Sequence, residues 1–337
     1  MKITFPTQHE RHSQTKELFN GNIEPASEVS SRIEIIKDQL VCDYGNKINL
    51  VLIENNGNRE DSVSQIHTKE YLNFLRSREN FLQTGEESFG NDFGYGDWNS
   101  AAENAIRGIH VRDTYTAFTK NIFDVAMRSY NAVHTAGEYV FNGEKFAYAL
   151  TRPPGHHAMK DSASGYCYLA NASIFANHLK QQGIKVGILD IDFHHGNGAQ
   201  IIFYNDPSVI TTSIHADPNR KFPYFSGNAN ENGTGKGYGK NLNIPLEAGV
   251  NTNDYLKYLA QSCEFLQKEK IEFLIVCAGF DTYEKDPISD FKISLEGFAL
   301  LGKMVKDLGL PTLFIQEGGY NTGDLGKCVS SFFSKII

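Results

Sequence analysis

The sequence lacks the features that mark exported, membrane-spanning and nucleic-acid-binding proteins. Its five cysteines are widely spaced and form no CxxC pair, which disfavours a disulfide framework or a zinc ribbon and favours a reducing, cytoplasmic location. Because the sequence shows neither the apolar run of a secretion signal nor one of about 18 residues, we expect neither export nor a membrane span. The 32 basic and 40 acidic side chains give a net charge of −8, so nucleic acid is not an expected partner.

One stretch departs from ordinary globular composition. Residues 78–113 are rich in Gly, Asn, Ser and Glu and include the single tryptophan, Trp98. Loops longer than about 12 to 15 residues are usually functional or disordered, and the interleaved aromatic residues argue against disorder here. We therefore expect an inserted loop at about residues 78–113, near the rim of the functional site.

Short apolar runs alternate with helical patterns along most of the chain. The strand candidates are residues 146–150, 186–189, 209–214, 273–277 and 312–315, and the main helix candidates are residues 119–139, 170–182, 253–268 and 294–308. This alternation predicts an α/β fold with a central, mostly parallel sheet and helices on both faces. We expect a single domain over residues 1–337, with its site at the carboxyl ends of the strands.

Polar motifs directly follow four of the predicted strands. They are Arg152-Pro-Pro-Gly-His156-His157, Asp190-Ile-Asp192-Phe-His194, Gly279-Phe-Asp281 and Glu317-Gly-Gly-Tyr320. Since parallel strands bring their carboxyl ends to one edge, the four motifs are expected to converge. On an extended backbone Asp190, Asp192 and His194 share one face. The sequence thus predicts that carboxylates and imidazoles lie together at one edge of the sheet.

Asp192, His194 and Asp281 form a candidate metal site. Three nitrogen and oxygen ligands with an open fourth position are typical of catalytic rather than structural zinc. The set contains no thiolate, so Zn²⁺ is favoured while ligand type leaves Fe²⁺ and Mn²⁺ open.

Two further motifs place proton-transfer groups near this metal site. An imidazole titrates near neutrality, so His156 and His157 are candidates for taking a proton from water and passing it to a leaving amine. Tyr320 follows two glycines and is placed to donate to a developing oxyanion. Taken alone, the histidines fit an exposed loop and the tyrosine fits a core position, and only the metal site beside them favours catalysis.

These motifs resemble those of the arginase/deacetylase-fold zinc hydrolases, which include histone deacetylases and bacterial acetylpolyamine amidohydrolases. All four motifs stand in that family's order, with weaker similarity at His9, Glu28, Arg32 and Ile66-His67. The resemblance implies that Asp192, His194 and Asp281 bind zinc and that Tyr320 polarises the acyl carbonyl. It also implies that His157 is the general base and acid and that His156 is its electrostatic partner.

The resemblance extends to the residues around the catalytic group. Asp190 is expected to orient His156, and Asn197 faces His157 where many protein deacetylases have Asp, a departure that resembles the amidohydrolase branch. A structural potassium site beside the zinc is implied at Asp190, Asp192, His194, Ser213 and Ile214. The acyl-channel walls are implied at Gly165, Tyr166 and Phe222, each of which ordinary core packing also explains.

The position of the inserted loop resembles that of the loop which narrows the channel and mediates dimerisation in acetylpolyamine amidohydrolases. The expected substrate is therefore a small cationic N-acetylated diamine or polyamine, and the expected assembly is a homodimer. Glu103 or Asp113 is a candidate for the distal ammonium, with Asp97 as a competitor. Acetyl-lysine proteins and other small acylated amines remain alternative substrates. A non-catalytic metal-binding module is a further alternative, against which Tyr320 and the tandem histidines count.

Overall fold

The computed structural model describes residues 1–19, 21–54, 59–90 and 108–337. The strands in these ranges are β1 Lys2–Pro6, β2 Lys16–Phe19, β3 Asn22–Pro25, β4 Asn49–Ile53, β5 Phe146–Ala149, β6 Val186–Asp190, β7 Val209–Ala216, β8 Asn241–Leu246, β9 Phe273–Ala278 and β10 Thr312–Gln316. The α-helices are α1 Ser31–Tyr44, α2 Glu60–Ser64, α3 Lys69–Phe81, α4 Ile122–Phe141, α5 Asn171–Gln181, α6 Asn197–Phe203, α7 Thr252–Lys268, α8 Leu295–Asp307 and α9 Leu325–Phe333.

Eight strands form one sheet in the order β4-β1-β5-β10-β9-β6-β7-β8, and every neighbouring pair is parallel. Strands β2 and β3 form a separate antiparallel hairpin. The four strands that lead into the polar motifs, β5, β10, β9 and β6, are consecutive neighbours at the centre of the sheet. All four motifs therefore emerge side by side at its carboxyl edge.

Alternate residues of the central strands pack into two hydrophobic cores, one on each face of the sheet. On β10, Leu313 and Ile315 pack with helices α3, α4 and α5, while Phe314 packs with α1, α7, α8 and α9. Both faces of a parallel sheet are covered by its crossover helices, which is why these strands are nearly continuous apolar runs. The predicted sheet with helices on both faces is confirmed.

The structure extends the predicted elements and adds strands that apolar runs did not reveal. Strand β8 was missed because Asn241 and Asn243 interrupt its apolar pattern; both are buried, and their amides donate to Gln200 Oε1 at 2.9 and 2.7 Å. Helix α3 continues to Phe81, so residues 78–81 of the predicted loop are helical. Within the described ranges, we find no helix with the length and apolar character that crossing a bilayer requires.

Candidate active site

Asp192, His194 and Asp281 meet at the carboxyl edge of the sheet. Both carboxylates are fully buried, and His194 Nδ1 lies 3.3 Å from Asp192 Oδ1 and 3.1 Å from Asp281 Oδ2. Ligands bound at about 2.0–2.1 Å in tetrahedral geometry are about 3.3 Å apart, so this spacing fits one zinc-sized ion. The three predicted metal ligands therefore form a donor set of the composition and size that zinc requires.

The charges in this cluster favour a cation. Burial disfavours a charged imidazole, yet the carboxylates of Asp192 and Asp281 outweigh it and raise the pKa of His194 to about 9. Burial and the neighbouring Asp192 carboxylate raise the pKa of Asp281 to about 7. Two buried carboxylates at one point repel each other, and a divalent ion between them relieves that repulsion.

Backbone groups fix the orientation of the two carboxylates. Gly318 N donates to Asp192 Oδ2 at 2.8 Å, and Phe193 N donates to Asp281 Oδ1 at 2.9 Å. A Cβ atom on Gly318 would lie 2.5 Å from Asp281 Oδ2, and one on Gly279 would lie 2.0 Å from Asp192 Oδ2. These two motif positions are glycines because the backbone passes directly against the ligand carboxylates.

The tandem histidines lie against each other beside the metal ligands and have different partners. Their ring centroids are 3.8 Å apart. His156 Nδ1 lies 2.9 Å from Asp190 Oδ2, and His157 Nδ1 lies 2.7 Å from Asn197 Oδ1. The Asn197 amide nitrogen faces the His157 carbonyl oxygen, so Oδ1 is the acceptor and His157 Nδ1 carries the proton. His157 Nε2 is then the ring nitrogen that accepts a proton.

The two imidazoles differ in charge as well. For His156, burial is outweighed by the Asp192 and Asp190 carboxylates, which raise its pKa to about 10. For His157, burial and the positive charge of His156 hold the pKa well below its usual value. The structure thus pairs a cationic His156 with a neutral His157, as an electrostatic partner and a base require.

Tyr320 faces the same site from the loop after β10. Burial raises the pKa of its phenol well above the ordinary value, so the hydroxyl keeps its proton and remains a donor. Its backbone N–H donates to Asp286 Oδ2 at 2.7 Å, and the Arg32 guanidinium carbon lies 5.0 Å from its ring centroid. The loop is therefore held at its backbone and at its ring.

A cavity of about 240 Å³ leads to His157, His194 and Tyr320. The predicted wall residues Gly165, Tyr166 and Phe222 line it. The remaining lining residues are Glu17, Phe19, Tyr115, Lys221, Tyr224, Pro287 and Ile288. Sequence reasoning missed Glu17, which lies on the β2 hairpin and reaches the site through the hydroxyl of Tyr166, 149 residues away along the chain. No local motif marks such a contact.

The two residues predicted to recognise an ammonium group have different outcomes. Glu103 lies outside the described residues. Asp113 is buried and does not line the cavity; its Oδ2 accepts from Gly165 N at 2.7 Å and its Oδ1 from Thr116 N at 2.8 Å. Asp113 therefore supports the channel wall from behind, where its carboxylate is occupied by backbone N–H groups.

The residues predicted for the potassium site lie on β6, on β7 and in the segment that follows β6, and they include two of the predicted metal ligands, Asp192 and His194. Asp190 and Ser213 are paired in register on β6 and β7. Asp190 Oδ1 accepts from Asp192 N at 3.0 Å, and Ile214 is the next residue on β7. The arrangement brings the predicted oxygen donors to one place, and the ion itself stays a prediction.

The fold and the site together are those of a deacetylase whose candidate metal ligands lie at the carboxyl edge of a parallel sheet. The chain belongs to the histone deacetylase family, whose "Histone deacetylase domain" matches residues 26–336. Acetylpolyamine amidohydrolase 2 of Pseudomonas aeruginosa is 32% identical over 97% of this chain and 96% of its own length. Acetylpolyamine amidohydrolase of Mycoplana ramosa is 32% identical over 100% of this chain and 99% of its own.

Comparison with a solved structure also places the chain beside an acetylpolyamine aminohydrolase. The crystal structure of acetylpolyamine aminohydrolase from Burkholderia pseudomallei superposes with a TM-score of 0.93 at 30% identity, covering 99% of this chain and 98% of that one. The family resemblance and the amide-hydrolysing enzyme class inferred from the motifs are confirmed.

Proposed function

We propose that the protein is a zinc-dependent amidohydrolase that removes the acetyl group from N-acetylated diamines and polyamines, giving the free amine and acetate. The observation that carries the substrate class is the aromatic cavity that contains the Glu17 carboxylate and ends at His157, His194 and Tyr320. Its shape suits a narrow alkyl chain, and its carboxylate suits a cationic end.

The reaction follows from the arrangement of these side chains. Zinc held by Asp192, His194 and Asp281 would polarise the acyl carbonyl and lower the pKa of the attacking water. His157 Nε2 accepts a proton as the water oxygen bonds to the carbonyl carbon, and the Tyr320 hydroxyl donates to the developing oxyanion. When the C–N bond breaks, His157 returns its proton to the amine nitrogen, which leaves acetate and a free amine.

Cationic His156 supports this cycle. Burial and the charge of His156 together keep neighbouring His157 neutral and therefore ready to accept a proton. Once His157 is protonated, repulsion between the two adjacent rings favours transfer of that proton to the leaving amine. The pair therefore makes His157 an acid as well as a base.

Aromatic rings define the width of the cavity. Phe222 lies edge-on to His157 with centroids 4.9 Å apart, and Tyr115 lies edge-on to Phe222 at 5.6 Å. Such rings bury methylene groups without offering them polar atoms. The cavity wall therefore suits the alkyl chain of an acetylated amine, and the choice between a free amine and an acetyl-lysine depends on the cationic end.

Glu17 is the proposed receptor for the distal ammonium. Its Oε2 accepts from the Tyr166 hydroxyl at 2.8 Å and its Oε1 from the Ser27 hydroxyl at 3.2 Å. Burial raises its pKa, and in the described part of the chain no Lys, Arg or His forms an ion pair with it. The lysine of the cavity wall, Lys221, has its own carboxylate partner, Asp290, at 3.6 Å. A substrate ammonium would supply the cation that Glu17 lacks.

The deciding experiment compares kcat/KM of the zinc-loaded protein on N-acetylputrescine, N-acetylcadaverine, neutral N-butylacetamide and an acetyl-lysine peptide. We expect an acetyl-diamine to exceed the peptide by about 100-fold or more, equal to about 2.7 kcal/mol. A faster peptide would overturn the substrate assignment and make the protein a lysine deacetylase. No turnover of any acetylated amine would instead support a non-catalytic metal-binding module.

Two variants test the ammonium contact. Glu17→Gln keeps the shape of the side chain but removes its charge, so kcat/KM for acetyl-diamines should fall by about 10- to 100-fold. Turnover of neutral N-butylacetamide should change by less than about threefold. Glu24→Gln is the matched control, because Glu24 is exposed and pairs with Glu17 across the hairpin. Equal losses on charged and neutral substrates would remove Glu17 from this role.

Two expectations from the family resemblance, a structural potassium ion and a homodimer, join this proposal, as does the cytoplasmic location expected from the cysteine pattern. Residues 91–107, the centre of the predicted dimerisation loop, lie outside the described residues. Light scattering on the purified protein tests the dimer, and a monomer at micromolar concentration would contradict it. Activity after exchange of potassium for sodium tests the ion.

A further inference from the structure

A second group of metal-ligand side chains lies away from the catalytic site. His134 and Glu138 are one turn apart on α4, and His178 is in the last turn of α5; we call these three the helix-pair cluster. Helix α5 ends just before β6 begins, so His178 lies near the amino edge of the sheet. The catalytic residues lie at the carboxyl edge. The two groups are therefore separated by the length of the central strands.

The helix-pair cluster is compact and mixed in chemistry. His178 Nε2 lies 3.1 Å from Glu138 Oε1, close to the roughly 3.3 Å edge of a tetrahedral zinc site. The His134 and His178 ring centroids are 4.9 Å apart, and one ligand atom from each residue lies within 4.8 Å of the other two. All three side chains are half-buried, so an ion from solvent can reach them.

One ring nitrogen of His134, the buried Nδ1, has no hydrogen-bond partner among the described residues. Burial, the Arg59 guanidinium and His178 lower the pKa of His134 to about 3, so the imidazole is neutral at physiological pH, the form that binds metals. Arg59 opposes a cation here, but its guanidinium donates to Asn131 Oδ1 at 3.2 Å and Glu138 contributes a carboxylate.

We propose that His134, Glu138 and His178 form a second metal site, which takes one divalent transition-metal ion such as Zn²⁺ and links α4 to α5. Two imidazoles and one carboxylate suit zinc, nickel or copper better than magnesium or calcium, which prefer all-oxygen sites. A fourth position is left for water. The Gln182 amide nitrogen lies 2.9 Å from His178 Nε2, and this hydrogen bond would be released if that ring nitrogen bound the ion.

The simplest competing explanation is a His178–Glu138 hydrogen bond that holds the helices together without an ion. That explanation accounts for the 3.1 Å contact. It leaves the buried Nδ1 of His134 without a partner, whereas coordination of an ion through Nδ1 would supply one. The two explanations differ in one measurable quantity, the number of metal ions that each chain retains.

Equilibrium dialysis against Zn²⁺, followed by metal analysis, measures that number. We expect two ions per wild-type chain and one in His178→Gln and Glu138→Gln. Glu144→Gln, an exposed carboxylate just beyond α4, is the matched control and should retain two. Asp281→Asn should lose the catalytic ion and keep the second, which separates this proposal from the proposed function.

Thermal unfolding supplies an independent readout. Zinc beyond the first equivalent should raise the melting temperature of the wild type but not of His178→Gln, while kcat of the two proteins stays the same. The proposal is overturned if His178→Gln and Glu138→Gln retain as many zinc ions as the wild type. It is equally overturned if the wild type binds one ion and Asp281→Asn binds none.

Discussion

Gly165→Ala tests how closely the channel wall is fitted to the catalytic base. Gly165 has a φ of +52°, and a Cβ atom there would lie 2.3 Å from His157 Cδ2 and 3.0 Å from Phe222 Cε1. Ordinary carbon contacts are about 3.5–4.0 Å, so the imidazole must move by about 1 Å. Asn197 holds that ring through a 2.7 Å hydrogen bond, which the movement breaks.

The substitution should lower both folding stability and kcat, and the two effects can be measured separately. The left-handed backbone conformation costs an alanine about 1–2 kcal/mol of folding stability. Displacing a general base by about 1 Å removes much of its contribution, so kcat should fall by about 100- to 10,000-fold. Gly183→Ala is the matched control, because Gly183 has a φ of +82° and nothing within 4 Å of the added atom.

The assay is kcat on N-acetylputrescine, with zinc content and thermal unfolding measured on the same samples. Both alanine variants should lose stability, Gly165→Ala more than Gly183→Ala because of its contact with His157, and only Gly165→Ala should lose activity while retaining its zinc. The reasoning is refuted if Gly165→Ala keeps more than about a tenth of wild-type kcat, or if Gly183→Ala loses as much.

Three other predictions concern the groups around the reacting atoms. In Asp286→Asn, the backbone N–H groups of Tyr320 and Asn321 lose their carboxylate acceptor, so kcat should fall by about 10- to 100-fold with unchanged zinc content. Burial raises the pKa of Asp286 to about 6, so kcat is compared near pH 8, where the carboxylate is ionised; an unchanged kcat would contradict the role. Asn197→Asp places a negative charge 2.7 Å from His157, which favours the imidazolium and raises the pKa of His157. The acidic limb of the kcat/KM profile should therefore move to higher pH, and a shift to lower pH would contradict the assignment of His157 as the base. Removal of zinc by a chelator should abolish hydrolysis, and at 1,000-fold excess of zinc over its Kd the free energy of unfolding should differ by about 4 kcal/mol; full activity in the chelated protein would exclude metal catalysis.

The sequence predicted the central sheet and the meeting of the four polar motifs at its edge, because both depend on local pattern. Apolar runs identify buried parallel strands, and the motifs begin where those runs end, as β6 and Asp190 show. Strand β8 was not predicted because its buried residues include Asn241 and Asn243. Their amides donate hydrogen bonds to Gln200, which lies 41 and 43 positions away in the sequence. Hydrophobic periodicity cannot identify a strand whose inward side chains are polar.

Substrate-recognition residues were harder to predict because they depend on contacts between distant segments. Asp113 and Glu17 are both acidic residues in irregular or short elements, and sequence alone favoured the first. Folding buries Asp113 behind Gly165 and places Glu17 on the cavity wall. The two carboxylates differ in whether they face the cavity or are bonded to backbone groups behind its wall. That difference depends on segments far apart in the sequence, which local pattern does not connect.

A buried ion network joins the substrate-facing hairpin to the catalytic edge. Glu28 Oε1 accepts from Arg32 at 3.1 Å and from Arg152 at 2.9 Å. Arg32 also donates to the carbonyl of Gly319, beside Tyr320, and Arg152 donates to the carbonyl of His12, shortly before β2. Loss of Glu28 would leave two buried guanidinium groups without their carboxylate, a change that typically costs about 3–5 kcal/mol. The network therefore ties the position of the Glu17 hairpin to that of the Tyr320 loop, so that the proposed recognition of the amine and the proposed polarisation of the acetyl group depend on one set of buried contacts.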